Sequence, residues 1–147
     1  MILSCANISK SFGTDTILTN VSFHINEQEK VAIVGANGAG KTTLISIITG
    51  IIQQTSGNIK FDGQDINKMG VKYLDMIGYL PQYTQFYPNF RVKEFLMYMC
   101  SIKGISKKKS LEIIPLIIDK VNLTEHIDKK ISELSGGMKQ RLGIAQA

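Results

Sequence analysis

The sequence is poor in cysteine. Cys5 and Cys100 are its only two thiols, and they stand alone, without the spacing of a metal-ligand set or a redox pair. That usage fits a reducing compartment, where a buried cysteine behaves as a small apolar residue. Long apolar runs are also missing. A run such as Ile113 to Ile118 is far below the ~20 residues needed to span a bilayer. Leu3-Ser4-Cys5 faintly resembles a lipoprotein cleavage site, but a signal peptide needs a basic start and an apolar core of about 7–15 residues, and neither fits ahead of Cys5. These absences predict a cytosolic chain, so any membrane role must come through a partner. No internal repeat, low-complexity tract or obvious linker divides the chain.

What is present is the composition of an ordinary globular protein, 44% hydrophobic and 20% charged over 147 residues, enough for one modest core. A net charge of +5 points to an anionic partner without choosing among nucleotide, nucleic acid and membrane surface. Lys107, Lys108 and Lys109 form the only dense basic run, read as a solvated helix start in preference to a nucleic-acid or lipid contact.

Patterning predicts strands at Ile2–Ser9 and Ile17–Ile25 around the turn Phe12-Gly13-Thr14-Asp15. A short apolar strand buried on both faces is expected over Lys30–Val34. A helix follows from near Gly40 through Ile48, with Gly50 near its end. Asn58–Phe61, closed by Asp62-Gly63, and Ile77–Leu80 are further strand candidates. From about Thr84 the spacing becomes helical: Val92–Lys103 with Gly104 as its stop, then a helix capped by Ser106 and reaching about Val121. Pro115 should kink that second helix or mark a fresh first turn. The outline is a βαβ-like core followed by a helical section.

Gly35-Ala36-Asn37-Gly38-Ala39-Gly40-Lys41-Thr42 fits the pattern G-x-x-x-x-G-K-[ST], and it lies between an expected strand and an expected helix, as that pattern requires. The glycines let the backbone curl so that successive N–H groups point at a phosphate chain, and the helix start adds the positive end of its dipole. Lys41 places a point charge on the β- and γ-phosphates, and Thr42 offers a hydroxyl to Mg²⁺. Ala39 and Thr43 complete the candidate phosphate contacts. The bland alternative is a glycine-rich turn before an amphipathic helix. The motif implies a nucleotide triphosphate but not a class of protein.

Leu134-Ser135-Gly136-Gly137-Met138-Lys139-Gln140-Arg141 precedes a helical stretch, Leu142–Ala147. A serine and two glycines at a helix start make a second anion site of hydroxyl and backbone N–H, or else a plain serine cap with flexible glycines. With the first motif, this segment resembles the signature of ATP-binding-cassette (ABC) proteins, and the resemblance extends over the whole chain. Ser11-Phe12-Gly13 resembles the family's aromatic loop, which makes Phe12 the adenine-stacking residue. Gly78-Tyr79-Leu80-Pro81-Gln82 resembles its glutamine loop, so Gln82 would touch Mg²⁺ or the attacking water and report to the membrane subunit. Without the family, Phe12 reads as a turn residue packed on the core and Gln82 as a polar loop residue.

The resemblance implies an α/β fold, the P-loop NTPase cassette, with an N-terminal β-subdomain, an incomplete RecA-like core and a helical subdomain. It implies one domain over residues 1–147: a nucleotide-binding core over about 1–83, a helical subdomain over about 84–133, and the signature with its helix over 134–147. ATP and Mg²⁺ are the implied ligands, with Thr42 and Gln82 at the metal. Two cassettes would sandwich two ATP molecules head to tail, so that Ser135, Gly136 and Gly137 serve the nucleotide of the opposite protomer. The helical subdomain would receive a permease, placing the protein on the inner face of the membrane. Tyr87-Pro88-Asn89-Phe90, Glu94-Phe95-Leu96 and Met138 resemble the exporter-like branch that carries drugs or antibiotic peptides. Two other functions compete with the transport ATPase: a soluble cassette acting on ribosomes or DNA, and a short module that holds ATP without turnover.

In the family an apolar strand ending in Asp-Glu and a later switch histidine follow the signature, and the resemblance places both beyond Ala147. No general base is therefore identifiable. Asp119, after Leu116-Ile117-Ile118, imitates the strand-then-Asp pattern but precedes the signature and is followed by Lys120. His24 and His126 do not lie where the switch histidine belongs. The expectation is an N-terminal fragment, marginally stable, with a bare apolar edge at Lys30–Val34.

Overall fold

The computed structural model describes residues 1–82 and 84–147, and the chain divides into two compact units, Met1–Gly78 and Tyr79–Ala147. The first unit is built on a four-stranded antiparallel sheet of β1 (Leu3–Phe12), β2 (Asp15–Ile25), β3 (Ser56–Phe61) and β4 (Gln64–Asp65), in the order β2-β1-β3-β4. Leu3 pairs with Ile25 on one side and Phe61 on the other. Along β1 the buried positions run Leu3, Cys5 and then Ile8, a change of phase that a regular pleat does not permit. A bulge at Asn7 (φ 52°) supplies the extra residue. Side chains hold it: the Asn7 amide donates to Ser22 Oγ at 2.8 Å, and the Ser22 hydroxyl donates to Asn7 Oδ1 at 3.2 Å.

The helix α1 (Lys41–Ile48) buries Leu44 and Ile47 in the same core as Leu3, Cys5, Ile8, Leu18 and Ile59. Asp62 (φ 46°) and Gly63 (φ 76°) form the two-residue turn into β4, whose left-handed pair suits the twist of a hairpin. Two single-turn helices, α2 (Ile66–Met69) and α3 (Val71–Leu74), bring Ile66 and Tyr73 onto the core. The Tyr73 hydroxyl donates to the Ile48 carbonyl at 2.6 Å and so ties α3 to the end of α1.

The second unit packs α4 (Val92–Ile102), α5 (Lys107–Lys120) and α6 (Gly136–Gln146) around Phe95, Leu96, Ile114, Ile118 and Leu142. Gly104 (φ 72°) ends α4, with the Ile105 amide returning to the Cys100 carbonyl at 2.9 Å. Ser106 caps α5, accepting from the Lys109 amide at 3.4 Å. Lys107–Lys109 form the first turn of that helix and are exposed.

Two expectations are corrected, and a third is narrowed. Lys30–Val34 is not a strand and is not buried: it is irregular and solvated, with Val34 90% exposed. A strand buried on both faces exists only through a neighbour on each edge, and among the described residues none pairs with this segment. Ile77–Leu80 likewise has no ladder partner and runs as an irregular segment. With both missing, the observed sheet is antiparallel, with β1 between β2 and β3, and is not a βαβ unit. Pro115, finally, starts no new turn. It lies inside a continuous α5 on the exposed face, beside the exposed Leu111, so the Leu111 carbonyl that loses its partner is left to water.

Candidate nucleotide-binding site

The loop Gly35–Gly40 leads from the exposed segment 31–34 into α1. Gly38 (φ 85°) and Gly40 (φ 80°) both take left-handed backbone. At Gly40 space matters as well as conformation. A Cβ there would lie 2.8 Å from Leu18 Cδ2 and 3.2 Å from the Ile17 carbonyl oxygen, so the loop rests directly on β2. Gly40 also gives α1 no side-chain cap. The first helical bond runs from the Leu44 amide to the Gly40 carbonyl at 2.8 Å, and helix geometry leaves the preceding N–H groups, those of Lys41, Thr42 and Thr43, without an intrahelical partner.

Lys41 folds back across this loop. Its ammonium donates to the Gly35 carbonyl at 2.7 Å and to the Ala36 carbonyl at 2.8 Å. The Ala39 amide reaches the Ala36 carbonyl at 3.2 Å and tightens the turn. Asn37, Ala39 and Thr42 are exposed, and Thr43 is half-buried at the helix start. Free backbone donors, a dipole end, an ammonium and two hydroxyls thus converge on one short stretch. This donor set fits an anion with several oxygens, such as a polyphosphate.

Phe12 ends β1, just before the turn made by Gly13 (φ 58°), and its ring is 52% exposed. It is not packed into the core. Lys10 Nζ stands 4.7 Å from the ring centroid, a cation over an aromatic face. The sequence reading passed over Lys10, although the two-residue period of a strand puts it on the same face as Phe12. β2, which pairs with β1, also carries the Ile17 and Leu18 that support Gly40.

In the second unit Ser135 is the N-cap of α6: its Oγ accepts from the Met138 amide at 3.3 Å. That bond uses the oxygen and leaves the hydroxyl proton free to donate elsewhere. Gly136 and Gly137 are open, since a Cβ built on either meets nothing within 4 Å. A cleft of about 840 Å³ lies beside them, lined by Leu80, Pro81, Gln82, Gly136, Lys139 and Gln140 among others. The structure therefore brings the Gln82 loop and the signature segment onto one cleft. Lys139 and Gln140 join because they stand three and four residues after Gly136, on the same helix face. Tyr83 lies outside the described residues.

The decoys stay decoys. Asp119 is on the exposed face of α5, His24 is in β2, and His126 is in a short turn at Thr124–His126. No group of three metal-ligating side chains occurs among the described residues. No helix among them is long and apolar enough to cross a membrane.

Residues 18–147 match the protein family described as ABC transporter. The chain is 45% identical to the uncharacterized ABC transporter ATP-binding protein YxlF of Bacillus subtilis (strain 168), over 99% of this chain and 48% of that protein. It is 38% identical to the lipoprotein-releasing system ATP-binding protein LolD of Francisella tularensis, over 100% of this chain and 68% of that one. It is 34% identical to the Nod factor export ATP-binding protein I of Paraburkholderia xenovorans, over 95% and 46%. Among solved structures, an ADP conformation of MJ1267, an ATP-binding cassette of an ABC transporter, superposes with TM-score 0.84 at 32% identity, covering 99% of this chain and 63% of that one. The chain spans about half the length of the first curated relatives it matches.

Proposed function

Because the chain belongs to the ABC transporter family, whose ATP-binding subunits are ATPases, we propose that it is the N-terminal part of an ATP-binding subunit that couples ATP binding and hydrolysis to export through a separate permease. The observation that carries this is the loop Gly35–Thr43, whose two left-handed glycines, uncapped helix start and inward-folded Lys41 suit a triphosphate.

In this reading Lys41 leaves the Gly35 and Ala36 carbonyls to hold phosphate oxygens, and the amides of Gly38 to Thr43 bind the remaining charge. The Thr42 hydroxyl and Gln82 would hold Mg²⁺, and Phe12 would stack on the adenine. Bound Mg²⁺-ATP supplies the phosphoanhydride bond and the divalent charge. Ser135, with a free hydroxyl proton, and the open Gly136 and Gly137 would grip the nucleotide of a second subunit. The functional division is a core over about 1–83, a permease-facing helical part over about 84–133, and the signature over 134–147. Docking through a permease would hold the protein at the cytoplasmic face of the membrane, and relatives named for lipoprotein release and Nod factor export support a transport role.

One observation favours a second reading. The unit Tyr79–Ala147 carries eleven Lys and Arg against six Asp and Glu, which is the whole net charge of +5, and a basic helical unit suits a cassette acting on ribosomes or DNA. Purification of the native protein from its source in mild detergent separates the two. Copurification of a stoichiometric polytopic membrane protein supports the transport reading, and nuclease-sensitive copurification of nucleic acid overturns it.

A further inference from the structure

Gly143 sits in the interior of α6 with ordinary helical backbone, so no left-handed conformation requires a glycine there. A glycine in that place destabilises the helix relative to alanine. The reason for it is contact. Gly143 is buried, and a Cβ built on it would lie 2.6 Å from Leu80 Cδ1 and 3.6 Å from Leu80 Cδ2. Leu80 therefore fills the volume that any side chain at position 143 would occupy.

Leu80 is tied to Gln82 by a stiff link. Pro81 has its own φ fixed and restricts the residue before it to extended backbone. The part of a Leu80 displacement that its own rotamers do not absorb is thus poorly taken up at Pro81 and passes to Gln82. At the other end, α6 is a continuous helix from Gly136, capped by Ser135, to Gln146. Leu80, Gln82 and Gly136 line the same cleft.

We propose that Gly143 is a positioning residue: by lacking a Cβ it seats Leu80 on α6 and so locks the Gln82 loop to the helix that carries Ser135. The loop that would touch the metal and the segment that would touch the opposite nucleotide then move as one body. This rests on the proposed roles of Gln82 and Ser135.

The test uses Gly143→Ala, Leu80→Ala and the double variant in the protein at its natural length. Amide hydrogen exchange, with no nucleotide added, reads the lock directly. Gly143→Ala is expected to raise exchange over residues 82–86 about tenfold while leaving α1 unchanged, and Leu80→Ala, which opens a gap in place of an overlap, is expected to raise it too. In the Leu80→Ala background, adding Gly143→Ala should change exchange less than twofold, the coupling of a contacting pair. ATP hydrolysis should fall about tenfold in kcat in each single variant, with KM within twofold, because the phosphate loop is untouched. Unchanged exchange over 82–86 in Gly143→Ala overturns the proposal, as does an equal, additive effect of Gly143→Ala in both backgrounds. Lys41→Ala run alongside separates the two readings. Retained ATP binding in that variant sinks the nucleotide reading, whereas a lost site with an unaltered Gly143→Ala profile sinks only the lock.

Discussion

The Lys41 ammonium donates to the Gly35 carbonyl at 2.7 Å, joining the last residue of the loop's charge-bearing end to its first glycine. The bond spans the whole cradle and, with the second bond to Ala36, fixes where the positive charge lies. A phosphate that recruits Lys41 must displace two carbonyl acceptors, and the exchange is favourable because a full negative charge attracts the ammonium more strongly than a carbonyl dipole does. The cradle is thus held in shape by the group that would grip its ligand.

Gly40→Ala should damage the fold as well as the site. The substitution meets Leu18 at 2.8 Å and forces left-handed backbone at φ 80° on a residue with a Cβ. Strain of this kind costs about 1–3 kcal/mol. Thermal unfolding should therefore drop by at least about 2 °C. Gly38→Ala, where the added Cβ meets nothing, pays only the conformational part and should fall less. Equal melting temperatures for the two variants would contradict the role given to Ile17 and Leu18 as the floor of the loop.

Phe12→Ala tests base stacking apart from phosphate binding. An exposed ring at the end of β1 has little to lose from the core, so the melting temperature should barely move. Loss of an aromatic stack worth about 0.5–1.5 kcal/mol should weaken ATP binding by roughly two- to tenfold. Affinity for inorganic triphosphate should be unchanged. A parallel loss for both ligands would mean that Phe12 shapes the loop and does not stack.

Cys5 gives a pH prediction. Burial pushes its thiol up to about 11 from an ordinary 9.0. The folded state holds the proton more tightly than the unfolded chain. Its contribution to stability is therefore fully present below pH 9 and is lost as the pH rises through about 11. Denaturation midpoints measured from pH 8 to 11 should fall over this window, and Cys5→Ala should flatten that part of the profile. An unchanged slope in the variant would place the alkaline loss elsewhere.

Much of the site was legible because its signals are local. The glycine spacing before Lys41, the Ser106 and Ser135 caps, the Gly104 stop and the Asp62-Gly63 turn each act within a few residues, and each lies where the sequence places it. The misreadings are non-local. Lys30–Val34 has the composition of a buried strand, but composition does not supply a neighbour, and the segment is exposed and unpaired. The Asn7 bulge was invisible because nothing in a two-residue period marks where the phase will change. Gly143 looked like an ordinary helix residue until Leu80, far away in sequence, took up the space beside it.

The most direct measurement is the equilibrium affinity of the natural-length protein for Mg²⁺-ATP, by calorimetry, in the wild type and in Lys41→Ala. One charge-assisted bond contributes roughly 1.5–3 kcal/mol, so the account predicts at least about tenfold weaker binding in the variant, with the fold intact by circular dichroism. Equal affinity in both proteins would contradict it, because the phosphates would then lie somewhere other than the loop between Gly35 and Thr43.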